Sequence, residues 1–158
     1  MPIKSFRGQI SANNVDHLSL HTNNGSVGYK IVKFQVFPQK PGTSTGENLV
    51  QIFSIENSAN NAADAAVATD VDFSDNTLLA VGFVGASTNN TQLAPISSVI
   101  FDNMKFNQDI FIAHKDESGN SSPVNYYVEL EQVKLDLSEN TVATLRDIRN
   151  ITLANRSI

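Results

Sequence analysis

Residues 125–150 read NYYVELEQVKLDLSENTVATLRDIRN. The first half alternates. Tyr126, Val128, Leu130 and Gln132 fall on one face of an extended chain, and Tyr127, Glu129, Glu131, Val133, Leu135 and Leu137 follow the other parity. At Ser138 the period changes: Val142, Leu145 and Ile148 recur three residues apart, the apolar stripe of a short amphipathic helix resting on a packed surface. A long strand and its docking helix predict a sheet-based fold that residues 138–158 close as a helix and tail.

Upstream, the pattern predicts a hairpin. Val15, His17, Ser19 and His21 alternate with Leu18 and Leu20; Asn23-Asn24-Gly25-Ser26 follows, and 28–37 (GYKIVKFQVF) returns. Asn-Gly supplies the positive-φ residues that tight hairpin turns need. In the returning strand Val32, Phe34 and Val36 share one face, while Tyr29, Ile31 and Phe37 flank Lys33 and Gln35 on the other. One face belongs to a core; the second is partly wet or covered by a neighbour. Pro38 ends the run, and 41–46 (PGTSTG) is a loop by composition. Further strands are predicted at 49–55, from Val71 to Phe73, and at 78–84, 98–101 and 109–114, with polar connections at 86–95 (ASTNNTQLAP) and 116–123 (DESGNSSP). The alanine-rich 56–70 lacks large apolar anchors and reads as a variable loop with one helical turn. With 125–137 this makes about eight strands separated by turn signals. The expectation is an all-β fold: an antiparallel, jelly-roll-like β-sandwich forming a single domain over 1–158, with a short C-terminal helix.

Composition points the same way. A chain of 158 residues is long enough to bury one sizeable core. Charged residues make up 17%, against about 25% in an average domain. Asn, Ser and Thr take their place, which favours sheets with neutral polar surfaces over helices faced with Glu and Lys. The net charge of −5 argues against nucleic-acid binding, which needs clustered cations to displace counterions from phosphates. Arg146, Arg149 and Arg156 are the densest basic group, but Asp147 lies among them, and a solvated helix face or subunit contact is the simpler reading. No cysteine is present, so disulfides and thiolate metal sites are excluded. MPIKSFRGQI lacks the apolar core of a signal peptide, and no segment approaches the ~20 apolar residues of a membrane span. The expectation is a soluble chain made without a cleaved signal and with no membrane partner. The sequons at Asn24, Asn89, Asn120, Asn150 and Asn155 are then unglycosylated.

Each candidate for chemistry has a structural explanation. His17 and His21 form an H-x-x-x-H pair, which on a strand spans roughly 13 Å, too far for one zinc. Asp70, Asp72, Ser74 and Asn76 imitate a calcium loop, but Asp75 stands where the sharp-turn glycine belongs and Val81 where the bidentate glutamate belongs. No serine sits in a G-x-S-x-G elbow to work with His17, His21 or His114. Glu129 and Glu131 would stand about 7 Å apart on one strand face, within reach of a glycosidase geometry, yet a Glu-x-Glu pair on an alternating strand reads first as solvent face. Gly82-Phe83-Val84-Gly85-Ala86 lacks the Lys and the helix of a phosphate cradle. No catalytic residue, cofactor or metal ligand is predicted, and the chain is not expected to be an enzyme.

Three segments carry a resemblance: GYKIVKFQVFP at 28–38, VIFDNMKFNQDIFIAH at 99–114, and the 125–150 stretch. Together, about a third of the chain, they resemble small virion-associated structural proteins of tailed bacteriophages of marine bacteria. The resemblance implies a place in the virion, as a capsid decoration or cementing subunit that self-assembles and stabilises the particle. Its partners would be copies of itself, with trimers the expectation from fold analogy, and the major capsid or another virion protein. It carries over no site residues. The strands at 29–37, 49–55 and 109–113 and the tail at 141–158 are the candidate contact surfaces. The alternative is a carbohydrate- or receptor-binding module, such as a fibre or spike head, using the loops at 41–47 and 86–95. A metal-dependent hydrolase is a third and weaker reading.

Overall fold

The computed structural model describes residues 2–20, 26–39, 47–54, 71–85, 96–101, 105–116 and 123–135. They hold eight strands: β1 (Ile3–Ile10), β2 (Val15–Leu18), β3 (Val27–Pro38), β4 (Glu47–Phe53), β5 (Leu78–Gly85), β6 (Ile96–Ile100), β7 (Ile110–Asp116) and β8 (Val124–Lys134). Every ladder is antiparallel. One sheet has the order β1-β8-β3 and the other β2-β7-β4-β5-β6. The chain therefore crosses between sheets at each of its first three connections and again from β7 to β8. This is jelly-roll winding, with one departure: β6 pairs with β5 and not with β3.

The long strand predicted from 125 onward is β8, the centre of the three-stranded sheet. Val124, Tyr126, Val128 and Leu130 are buried, while Asn125, Tyr127, Glu129 and Glu131 are half-buried on the outer face. Facing residues of the other sheet (Val50, Ile52, Ala80, Val84, Ile110 and Ile112) complete one continuous core. Burying such a side chain contributes about 1.5–3 kcal/mol each, which holds the two layers together. β3 packs across against β5 and β6. Gly82 makes that approach possible: a Cβ there would fall 2.6 Å from Val36 Cγ2 and 3.0 Å from Phe34 Cε2.

The structure corrects several expectations. The Val15–Phe37 hairpin does not form, because β2 pairs with β7 and β3 pairs with β8. The Asn-Gly turn signal concerns local backbone only, while the twelve residues of β3 find a long alternating partner in β8. Residues 71–77 form turns, not a strand. Asp72 accepts from the Ser74 amide (2.9 Å), and Asp75 accepts from the Thr77 amide (2.9 Å) and hydroxyl (2.7 Å). These short side chains satisfy backbone donors that a ladder would otherwise need. In exchange, β1 is a strand the sequence reading lacked. Leu135, placed on the outer parity, is buried instead: the strand ends at Lys134, and the Leu135 amide turns to the Ser26 carbonyl at 2.7 Å. The C-terminal helix and tail at 138–158 and the loops at 41–46, 56–70, 86–95 and 117–122 lie outside the described residues.

Candidate functional site

A cleft of about 860 Å³ is lined by residues of β1, β3 and β8 of the three-stranded sheet and by residues of β6 from the other sheet. Three rows of cross-strand neighbours form its floor. They are Arg7, Tyr127 and Gln35; then Gly8, Tyr126 and Val36; then Asn125 and Phe37. Ser97 and Ser98 of β6 form a further wall. The cleft follows from the departure in topology. At one end of β3, Tyr29 exchanges backbone hydrogen bonds with Phe106 (2.7 and 2.9 Å). At the other end, residues 35–37 face β6 without a ladder among the described residues.

The polar groups of the cleft are oriented by neighbours. Gln9 Nε2 donates to Asn125 Oδ1 at 3.1 Å, which leaves the Asn125 amide nitrogen as a donor. The Tyr127 hydroxyl donates to Glu129 Oε1 at 2.6 Å, and that bond holds its pKa above the usual tyrosine value. Lys33 and Glu129 are opposite in register, and Lys33 Nζ lies 5.7 Å from the Tyr127 ring centroid, so these two charges are balanced around one ring. Arg7 has no carboxylate partner among the described residues. Phe37 is 56% exposed. Below, Tyr126 fills the space left by Gly8, where a Cβ would stand 2.9 Å from the tyrosine oxygen. Its hydroxyl reaches across the sandwich to Asp16. Burial, then the nearby carboxylate, push the Tyr126 pKa up to about 12, and burial raises that of Asp16.

The second polar centre is buried. His114 is fully enclosed, with Nδ1 at 3.2 and 3.1 Å from the Ile10 and Ser11 carbonyls and Nε2 at 2.8 Å from Asn48 Oδ1. Burial lowers the His114 pKa, against the backbone bonds and the nearby Asp116 that raise it. The ring is then neutral and protonated on Nδ1, so Nε2 needs a donor. A half-turn of the Asn48 amide supplies one and gives a partner to Asn48 Nδ2, which otherwise has none. The Asn14 carbonyl accepts from the His114 amide at 2.9 Å, and Asn13, at φ 60°, accepts from the Asp116 amide at 3.2 Å. This centre ties the β1–β2 corner to β7, and it is enclosed away from substrates.

The candidates named from sequence do not come together. His17 stacks on Phe111 (4.8 Å, 12°) and pairs with Asp109 Oδ2 at 2.8 Å, while His21 and Asp70 lie outside the described residues. Asp72 is engaged in its turn, and the Ser74 hydroxyl and amide hold its pKa down. Glu129 and Glu131 share the outer face as predicted; Glu131 faces Lys30 at 3.6 Å. Among the described residues no three His, Asp or Glu side chains gather closely enough to hold a metal ion. Arg7, Gln35, Phe37 and Asn125 were not singled out by sequence reasoning. They are scattered along the chain, and only the strand register brings them together. Comparison with protein-family models gives no match for this chain, and comparison with curated proteins gives none either.

Proposed function

We propose that the chain is a structural subunit of a bacteriophage particle, a capsid decoration or cementing protein that assembles with copies of itself. The observation that carries this reading is the outer face of the five-stranded sheet. A sheet exposed on one side normally alternates apolar and polar residues. Here Leu49, Val71, Phe73, Val81, Phe83 and Val99, with Ser97 and Ser98, wall a shallow and mostly apolar trough of about 260 Å³, and Phe73 is 58% exposed beside Phe101 (5.0 Å, edge to face). Exposed apolar surface of this kind marks a contact. The resemblance to marine phage virion proteins supplies the particle as its setting, and in this reading the protein works through its surface and not by catalysis.

A second reading, a carbohydrate- or receptor-binding module, is favoured by the cleft. Phe37 of β3 and Ser97 of β6 line it, and in sequence the stretches 41–47 and 86–95 follow the one and precede the other. Peptide fingerprinting of purified particles tests the first reading. The expected result is peptides of this chain at a fixed ratio to the major capsid protein; their absence from particles, with the chain present in infected cells, overturns it.

A further inference from the structure

Within the second reading, on which this inference rests, we propose that the cleft between β8 and β6 binds a carboxylate-bearing oligosaccharide, with Arg7 as the group that recognises the acid. Its volume falls within the range of about 300–1,000 Å³ typical of small-molecule sites. Arg7 is its one charged lining residue among those described, in a chain of net charge −5, and no described carboxylate neutralises it. A planar guanidinium matches a carboxylate through two parallel hydrogen bonds.

The other groups fit a sugar. The Asn125 amide nitrogen, the Gln35 amide and the hydroxyls of Ser97 and Ser98 suit ring and glycosidic oxygens and hydroxyls. Asn125 is held ready by Gln9, so little ordering remains to be done on binding. Phe37 and Tyr127 present apolar surfaces to the C–H face of a pyranose, and because the Tyr127 hydroxyl is already engaged by Glu129, it offers its ring. A nucleotide fits less well, since a phosphate chain calls for several cations or backbone amides and the cleft has one arginine.

Isothermal titration of the full chain with trigalacturonate tests this. Two further probes are the same trisaccharide with its carboxyls reduced to alcohols, and AMP. The expected result is binding of trigalacturonate, weakened at least about tenfold by Arg7→Met and to a similar extent by carboxyl reduction. Arg7→Lys, which keeps the charge and loses the fork, falls between. Phe37→Ala, on an exposed side chain, weakens the acidic and reduced sugars alike and serves as the control should Arg7→Met misfold. Equal binding of the acidic and reduced sugars overturns the acid recognition but leaves a carbohydrate-binding module standing. No binding of either sugar, or preference for AMP, overturns both.

Discussion

At the scale of single residues, burial and hydrogen bonding decide which polar groups hold the fold and which remain available. His114 is the clearest case of the first. Its folded pKa lies below the usual 6.5 because burial disfavours the imidazolium. The unfolded chain therefore binds more protons between the two values, and stability is fully present above about pH 6.5 and lost as pH falls toward the folded value. Asp16, whose pKa is raised by burial above the usual 3.8, acts in the opposite sense at lower pH. Denaturant midpoints measured from pH 7.5 to 5.5 should fall with pH in the wild type. In His114→Gln the slope should flatten, with an overall loss of about 1–3 kcal/mol from the polar groups left unpaired. An unchanged slope would place the titrating group elsewhere. Arg7 is the converse case: among the described residues it has no carboxylate partner.

At the scale of elements, the alternation of β8 makes a sharp contrast between neighbours. Leu130→Ala, on the buried face, should cost about 2–5 kcal/mol. Glu131→Ala, one position on, removes a partly exposed pair with Lys30 and should cost under about 1 kcal/mol. Equilibrium unfolding in urea checks both, and similar losses would mean that the two faces are misassigned. The same alternation made β3, β4, β5, β7 and β8 readable from the sequence. β1 was obscure because its inward positions are Phe6, Gly8 and Ile10, and the glycine under Tyr126 interrupts the apolar pattern. Val71 and Phe73 misled because Asp72 and Asp75 turn the chain through side-chain bonds that hydrophobic pattern alone does not register. The β2–β3 pairing misled because a turn signal says nothing of which sheet each strand enters. The cleft was illegible for a related reason: its residues come from β1, β3, β6 and β8, and only register gathers them.

At the scale of the whole molecule, the winding leaves two surfaces that an isolated sandwich does not require. One is the cleft, opened where β6 pairs with β5 and leaves the end of β3 without a ladder among the described residues. The other is the apolar outer face of the five-stranded sheet. Association through that face would remove Phe73, Val71 and Val99 from water at about 25 cal/mol per Å² of apolar area, and a closed ring or two-fold pair would satisfy every copy alike. The most direct measurement is sedimentation velocity of the full chain across a concentration series, beside Phe73→Asp. The wild type is expected to sediment as a discrete species at two or more times 17.2 kDa. The variant is expected to be a folded monomer with an unchanged far-ultraviolet dichroism spectrum. A wild-type chain that sediments as a monomer throughout, or an oligomer that Phe73→Asp leaves intact, would contradict it.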